Sequence, residues 1–322
     1  MHKTAALALF AVMACSAGGV QPAPASQTNP PASAAPPPQA APAPAGEQTF
    51  AEVSAERAFE DLRQLVAIGP RPAGSPGIRQ TRAFITKQMQ AIGLTVREQA
   101  FMASTPVGQV PMANLIVTLP GKRPDRILIA SHYDTKPEKD FVFVGANDGG
   151  SSTALLMELA RVLKDKPREF TWELVFFDGE EAWGDWATGN TFGSRHYVDA
   201  GRRDGTLKGV KALVLLDMIG ERGLEIRQDL NSTRWLNELV WRVAGRLGHQ
   251  RTFVPDITSV EDDHFPFLKA GIPAIDLIDL DYPAWHTAQD TLDKIDPRSM
   301  KIVGDVVVAA LPEIEQRLKT QD

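Results

Sequence analysis

Cysteine, positive charge and long apolar stretches are all scarce in this sequence. One cysteine among 322 residues cannot form a disulfide within the chain, which excludes a disulfide scaffold and a cysteine-rich zinc module. The 34 lysines and arginines are outnumbered by 40 aspartates and glutamates, and the net charge of −6 disfavours a nucleic-acid partner. The remainder, with 43% hydrophobic and 23% charged residues, is typical of a globular protein with a sizeable core. A metal site here would have to use histidine and carboxylate ligands.

The first 15 residues have the pattern of an export signal. Lys3 precedes the apolar run 5–14, which is too short to span a bilayer but has the length of a signal-peptide core. Ala14 directly before Cys15 resembles a bacterial lipobox, in which the cysteine carries the lipid. The alternative is an ordinary secretory signal with a chance cysteine near its cleavage site. Both interpretations predict an exported protein, either periplasmic or lipid-anchored at a bacterial membrane.

Residues 16–48 are predicted to form a disordered linker. Nine of the 24 prolines lie between positions 21 and 46, together with many alanines and almost no large apolar side chains. Such a segment cannot bury enough apolar surface to offset the entropy lost on ordering. The predicted catalytic domain therefore spans residues 49–322.

Within that domain, apolar runs alternate with helical patterns, which predicts an α/β fold. The central runs lack polar alternation, as expected for strands covered on both faces of a mainly parallel sheet. Helices are predicted to begin near Ser54, Ser75, Ser151, Ser232 and Asp296. The predicted strands are 94–100, 115–119, 127–130, 174–177, 212–216 and 274–278.

Ionisable residues follow the C-terminal ends of three predicted strands. In open α/β sheets, ligands bind beyond the carboxyl ends of the strands, so these side chains are expected to converge in one crevice. Carboxylates that meet there would repel one another unless a divalent cation neutralised them, and zinc is the first choice for histidine and carboxylate ligands. The residues are His132, Asp134, Asp178, Glu180, Glu181 and Asp217.

Several of the candidates also have a purely structural interpretation. Taken singly, four could be hydrogen-bonded strand-end, turn, cap or core residues: His132, Asp148, Asp217 and His286. The adjacent Glu180 and Glu181 are harder to explain in this way, because like-charge repulsion after a buried strand costs stability. A role in a site is therefore favoured for these two glutamates.

In combination, five motifs resemble those of the co-catalytic zinc aminopeptidases and their relatives, the glutaminyl cyclases. The motifs are H-x-D from 132, G-A-x-D from 145, D-G-E-E from 178, L-D-M-I-G from 216 and H-T-x-x-D-T-L-D from 286. The resemblance covers nearly all of residues 55–315. It implies a three-layer α/β/α sandwich with a central mixed, mostly parallel sheet. It also implies a general base, Glu180, and the metal ligands His132, Asp148, Glu181, Asp217 and His286.

Smaller features favour the cyclase branch of that family. Trp186 soon after D-G-E-E, G-S-R-H from 193, E-D-D-H-F-P-F-L from 261 and Trp285 before His286 are similar to the cyclases. This resemblance implies one zinc on the counterparts of Asp148, Glu181 and His286. It further implies that Asp217 and Asp262 are catalytic and that Trp186 and Trp285 bind the substrate.

Other features are closer to the peptidases. N-D-G-G-S from 147 and D-T-L-D from 290 read more like peptidase motifs, and Asp276 stands where animal cyclases carry histidine. That departure puts the hydrogen-bond network around Asp262 in question.

Three functions follow from these observations. The main prediction is a zinc-dependent glutaminyl-peptide cyclotransferase, an acyltransferase that converts N-terminal glutamine to pyroglutamate with release of ammonia. The alternative is an aminopeptidase that hydrolyses N-terminal residues with two zinc ions on all five ligands. A non-catalytic receptor for peptide N-termini is disfavoured, because a binding module needs no general base such as Glu180. The predicted partners are peptide or protein N-termini, with membrane contact only through a lipid on Cys15.

Overall fold

The computed structural model describes residues 52–320. Six strands of this part of the chain form one sheet. The predicted signal peptide, the lipobox around Cys15 and the predicted linker all lie outside the described residues. A separate two-stranded sheet is formed by β6 and β7. In chain order the strands are β1 (Val96–Thr105), β2 (Gly108–Leu119), β3 (Arg123–His132), β4 (Phe170–Phe177), β5 (Val210–Asp217), β6 (Ile226–Asp229), β7 (Phe253–Thr258) and β8 (Ala274–Ile278).

The large sheet is mixed, with most of its strand pairs parallel. Its order is β1-β2-β4-β3-β5-β8, and its parallel strands are connected by crossovers rather than by hairpins. Strands β4, β3, β5 and β8 pair in parallel, whereas the β1–β2 hairpin and the β2–β4 pair are antiparallel. This arrangement confirms the prediction of an α/β fold with a mixed, mostly parallel sheet.

Helices cover both faces of this sheet and complete three layers. Ile127 and Ile129 of β3 pack into one core with the first three helices and with α5 and α7. Leu128 and Ala130, which point the other way, pack into a second core with Tyr197 of α4 and residues of α6. The helices are α1 (Ala55–Ile68), α2 (Pro76–Ala91), α3 (Ser152–Leu163), α4 (Phe192–Asp204), α5 (Arg234–Arg246), α6 (Phe265–Lys269) and α7 (Pro297–Lys319).

Three of the predicted helix starts have the expected caps. The side chains of Ser54 and Ser75 accept hydrogen bonds from backbone N–H groups of their own first turns, and Asp296 does the same before α7. Helix α5 begins one residue later than predicted, with Thr233 at its N-cap position. The Ser232 hydroxyl instead donates to Asp229, which ties the end of β6 to this region.

None of the helices between residues 52 and 320 is long and apolar enough to cross a bilayer.

A buried carboxyl pair beneath the last helix predicts a pH-dependent stability. Burial and a hydrogen bond to Asp279 raise the pKa of Glu221 from 4.5 to about 9. When the pKa of a carboxyl group is raised in the folded state, the group contributes its full stabilisation of the folded protein below the pKa that it has in the unfolded chain. That contribution is lost as the pH rises towards 9. Glu221→Gln keeps a donor for Asp279 without the charge, so at about pH 8 its melting temperature is expected to exceed that of the wild type by about 3 °C.

Thermal unfolding of Glu221→Gln across the pH range checks this expectation. The gain should shrink as the pH falls towards 4.5, where the wild-type carboxyl is protonated in both states. The exposed Glu225→Gln is a matched control and should follow the wild-type profile. A gain that does not change with pH would refute the assignment to Glu221.

Candidate active site

Three neighbouring strands deliver acidic and histidine side chains to one edge of the sheet. Strand β3 ends at His132 and β5 at Asp217, and the two strands are parallel neighbours. On the other side of β3, the register places His132 opposite Phe177, the last residue of β4. The D-G-E-E motif therefore begins where β3 ends. The structure brings His132, Glu180 and Asp217 together at this edge, as predicted. It does not bring Asp178 there, because the Asp178 carboxylate accepts hydrogen bonds from the Ala113 N–H and the Tyr133 hydroxyl instead.

One group of three side chains surrounds a point at which a metal ion could bind. The ligand atoms of Asp148, Glu181 and His286 all lie within 4.8 Å of one another. His286 Nε2 is 3.3 Å from Asp148 Oδ2 and 3.3 Å from Glu181 Oε1. The two carboxylates are buried, and the His286 side chain is 23% exposed. We call these three residues the first trio.

A second trio, formed by His132, Asp148 and Asp217, shares a residue with the first. His132 Nε2 is 3.3 Å from Asp148 Oδ1 and 3.1 Å from Asp217 Oδ1. Asp148 therefore directs one oxygen to each trio. The structure brings together all five residues that the family resemblance implied as ligands.

The donor atoms of the first trio fit a divalent cation such as zinc. Among residues 52–320, neither carboxylate oxygen of Glu181 makes a hydrogen bond, and neither does Asp148 Oδ2, although all three atoms are buried. Buried polar atoms without partners are costly, and a bound cation would satisfy them. Histidine nitrogen and carboxylate oxygen are ordinary zinc ligands.

The titration behaviour of the first trio reflects its excess of carboxylates. Burial raises the pKa of Glu181 to about 7, and repulsion from Asp148 acts in the same direction. Burial opposes a charge on His286, but its contacts with Asp148 and Glu181 raise its pKa to about 9. Burial also opposes ionisation of Asp148, yet its close contacts with His132 and His286 hold its pKa well below the usual value. The site therefore attracts positive charge, and a metal that binds there displaces protons.

Glu180 belongs to neither trio, although it is the neighbour of Glu181. The backbone N–H groups of Glu180 and Glu181 donate to Asp134 Oδ1 and Oδ2 at 3.1 and 3.3 Å, which fixes the turn. Gly179 supplies the positive φ of 72° that the turn needs. Burial raises the pKa of Glu180 well above its usual value, and repulsion from Asp262 adds to the effect. A carboxylate with raised basicity thus lies beside the first trio.

Two residues other than glycine adopt a left-handed backbone conformation next to these groups. His286 has a φ of 51°, and Met218, which follows Asp217, has a φ of 44°. Such conformations cost free energy and are maintained where the surrounding structure imposes them, often at functional sites. The Met218 N–H donates to Asp217 Oδ1 at 2.8 Å, so the strained turn also orients this carboxylate.

A cleft of about 500 Å³ opens onto the first trio. Trp186 and Trp285 both line it, and Trp285 is 41% exposed with its ring centroid 4.3 Å from that of His286. His132 does not line the cleft, because it is buried beneath Asp148 and Asp217. Asp134 and Asp178, which were also expected in the crevice, do not line it either. The predicted residues at the cleft are Asp148, Glu180, Glu181, Trp186, Asp217, Asp262, Trp285 and His286.

Asp276, His264 and Asp229 form a buried group of ionisable side chains close to Asp262. Asp276 Oδ2 lies 3.7 Å from His264 Nδ1, and His264 Nε2 lies 3.2 Å from Asp229 Oδ2. Burial raises the pKa of Asp276 well above its usual value, and repulsion from Asp262 acts in the same direction. These surroundings therefore disfavour a negative charge on Asp276 close to Asp262.

Asp290 holds the loop that carries Asp148, a role that the sequence did not reveal. Its carboxylate accepts hydrogen bonds from the backbone N–H groups of Asn147 and Asp148, at 2.8 and 3.1 Å, and from the Tyr282 hydroxyl at 2.8 Å. It thereby holds the loop that carries the shared ligand. The D-T-L-D motif contained the residue, but spacing alone gave no sign of its partner 142 residues away.

Asp290→Asn is expected to weaken zinc binding about tenfold, because residues that orient metal ligands typically contribute 10–100-fold to affinity. The amide retains one acceptor oxygen but loses the second, so the loop at Asp148 becomes less well positioned. Competition with a chromophoric chelator measures the affinity. Asp305→Asn on α7, which pairs with a surface lysine, is a control that should leave it unchanged. Wild-type affinity in Asp290→Asn would contradict this role.

Arg71 is a second residue that sequence analysis missed. It is 1% exposed, and its guanidinium donates to the backbone carbonyls of Tyr133, Val144 and Gly145 at 3.0, 2.6 and 2.8 Å. These bonds tie the G-A-x-D loop to the end of β3. A buried arginine satisfied by carbonyl groups from three distant positions leaves no pattern in the sequence that spacing could reveal.

Comparisons with known proteins agree with this geometry. Residues 114–311 match the model of Peptidase family M28. The glutaminyl-peptide cyclotransferase of Bothrops jararaca is 32% identical over 290 residues, which cover 77% of this chain and 78% of the relative. An α/β fold with two adjoining trios of histidine and carboxylate side chains agrees with this family match. The chain belongs to Peptidase family M28, in its group of glutaminyl-peptide cyclotransferases.

Solved structures extend the comparison to bacteria. A glutaminyl cyclase from an Acidobacteriales bacterium has a TM-score of 0.79 and 42% sequence identity, covering 86% of this chain and all of its own. A zinc-dependent exopeptidase from Parabacteroides distasonis has a TM-score of 0.72 with 24% identity, covering 82% of this chain and 98% of its own, and it shares the fold.

Proposed function

We propose that this protein is a zinc-dependent glutaminyl-peptide cyclotransferase that acts on the N-terminal glutamine of peptides. The observation that carries the proposal is a buried glutamate, Glu180, that lies beside the first trio without belonging to it. In the reaction, the substrate α-amine forms a bond to the side-chain amide carbon, the amide C–N bond breaks, and ammonia leaves. The relatives named above support this activity over peptide hydrolysis.

Asp148, Glu181 and His286 would hold a single zinc ion at the inner end of the cleft. Zinc bound there supplies a Lewis acid that polarises a carbonyl oxygen. A single ion suffices because the nucleophile belongs to the substrate, and intramolecular attack removes much of the entropic barrier.

The protein's own proton carrier is Glu180. Its carboxylate accepts a proton from the substrate α-amine and later donates one to the departing ammonia. Exclusion from both trios is essential for this role, because a carboxylate that ligates a metal loses basicity. The raised pKa that burial gives Glu180 increases its strength as a base.

The other predicted site residues act on orientation and solvent. Asp217 and Asp262 line the cleft and can accept hydrogen bonds from the substrate amine and the leaving amide nitrogen. The rings of Trp186 and Trp285 form the aromatic walls of the glutamine pocket, which limits the access of water.

The second trio offers the ligands that the alternative function, an aminopeptidase, would need. His132, Asp148 and Asp217 offer ligand atoms within 4.8 Å of one another, as a second zinc ion would require. In that reaction, Glu180 would deprotonate a water that attacks the first peptide bond. The cyclotransferase relatives make this the less favoured function.

Peptide assays with the purified, zinc-loaded protein separate the two activities. We expect a glutamine-initiated peptide to lose the mass of one ammonia without chain cleavage, and its N-acetylated form to be inert because the nucleophile is blocked. Release of free leucine from a leucine-initiated peptide, without cyclisation of the glutamine peptide, would instead establish the aminopeptidase.

We also propose that the protein is exported and anchored through lipid on Cys15. The short apolar run after Lys3 and the Ala14–Cys15 pair support this localisation. In a bacterial host, the wild type is expected in the membrane fraction and Cys15→Ser in the soluble fraction. An unchanged distribution would contradict the anchor.

A further inference from the structure

A second, smaller pocket adjoins the catalytic cleft, and no step proposed above uses it. It has a volume of about 200 Å³ and shares Trp186, Glu261 and Asp262 with the cleft. Its far side is formed by Arg195 on α4 and by Lys269 at the end of α6. We call this cavity the outer pocket.

Two cations at the outer pocket form no ion pair with any described carboxylate. Within residues 52–320, no carboxylate lies within 4 Å of the Arg195 guanidinium, which donates only to neutral oxygens of Thr191 and Asn190, both at 2.8 Å. Lys269 has no ion pair in the same range, and its ammonium lies 4.7 Å from the centroid of the Phe265 ring. Arg202, by contrast, pairs with Asp199 at 3.8 Å.

The Arg195 guanidinium is held in place before any ligand binds. Its Nε and Nη2 bonds fix the plane against the start of α4, while Nη1 donates to no residue in the described chain. Asn190, which accepts from Nη2, also donates through its amide to the Trp186 carbonyl. A cation fixed in this way loses little conformational entropy when an anion binds.

The direction of the substrate chain connects the outer pocket to the reaction, and this step rests on the proposed function. If the glutamine amide points to the first trio and the α-amine to Glu180, the substrate Cα lies near the Asp262 end of the cleft. The carbonyl that continues the peptide is bonded to that same Cα. The second and third residues therefore leave past Trp186 and Asp262, the residues that separate the cleft from the outer pocket.

We propose that the outer pocket binds the side chain of the second or third substrate residue and favours a carboxylate there, through Arg195 and Lys269. Arg202 is paired with Asp199, so Arg195 and Lys269 face the exposed Glu261 and the buried Asp262, and an acidic substrate side chain is favoured by direct contact with the two cations rather than by net charge. Charge-assisted hydrogen bonds from a fixed guanidinium favour carboxylates over neutral groups.

Matched peptides test the charge preference directly. Two series of peptides carry glutamate, glutamine or lysine, one series at position two and the other at position three. In one of these series, we expect kcat/KM to be about tenfold higher for glutamate than for lysine, the effect of one charge-assisted contact. The difference should lie mainly in KM, because the contact is distant from the reacting atoms. Raised salt should reduce it.

Single variants assign the preference to the outer pocket. Arg195→Gln and Lys269→Gln should each lower the glutamate-to-lysine ratio at least threefold while leaving kcat for the neutral peptide unchanged, and Arg195→Lys should restore part of the ratio. Lys87→Gln removes the same charge from α2, which lines neither pocket, and should have no effect.

The outcomes distinguish this proposal from the one on which it rests. Equal kcat/KM for all charges in both series, or an unchanged ratio in both Gln variants, would overturn the outer-pocket proposal alone. If none of the glutamine-initiated peptides is cyclised, the proposed function is overturned and the outer-pocket proposal with it.

Discussion

Replacing Glu180 with glutamine is expected to lower kcat by about 10²–10⁴-fold, the usual contribution of a general acid–base group. The amide preserves the size of the side chain but cannot accept the α-amine proton. Because Glu180 belongs to neither trio, zinc content should stay at the wild-type value. Steady-state cyclisation rates and metal analysis of the same preparation measure both effects.

A matched control for this variant is Glu60→Gln on the surface of α1, which removes one carboxylate far from the cleft and should be fully active. Substantial turnover in Glu180→Gln would remove the proposed proton carrier. Loss of zinc from the variant would place Glu180 among the ligands and contradict its separation from the first trio.

His286→Ala is expected to lower zinc affinity by more than about 100-fold, the upper range for residues that only orient ligands. The imidazole contributes the one nitrogen of the first trio and lies 3.3 Å from each of its carboxylates. Its loss leaves two anionic ligands, and activity should disappear with the metal. Chelator competition and metal analysis after dialysis measure the change.

His249→Ala is the matched control for this second variant, since His249 follows α5 and lines neither pocket. It should retain zinc and activity. Retention of zinc by His286→Ala at wild-type affinity would show that the ion binds elsewhere.

Local signals in the sequence predicted most of the fold, because they act within a few residues. Ser54, Ser75 and Asp296 cap their helices as expected. The β1–β2 hairpin is longer than predicted, since pairing between the strands continues through polar residues to the turn before Gly108. Helix α4 was missed because Tyr197 and Val198 are the large apolar residues that it buries, too few for a helical pattern.

The sequence predicted the ligand role more directly for some residues than for others. Positions directly after buried strands, such as His132 and Asp217, follow from the geometry of parallel sheets. His286 lies on the loop that follows β8 rather than directly at the end of the strand, and the family resemblance identified it. Arg71 and Asp290 act through backbone groups of other loops, and such contacts depend on the folded arrangement.

Anomalous diffraction at the zinc absorption edge, on crystals of the zinc-loaded protein, shows which side chains coordinate the ion. We predict one peak with ligand distances of about 2.0–2.2 Å to Asp148, Glu181 and His286, and Glu180 outside the coordination sphere. A peak coordinated by Glu180, or no peak between these three residues, would contradict the account.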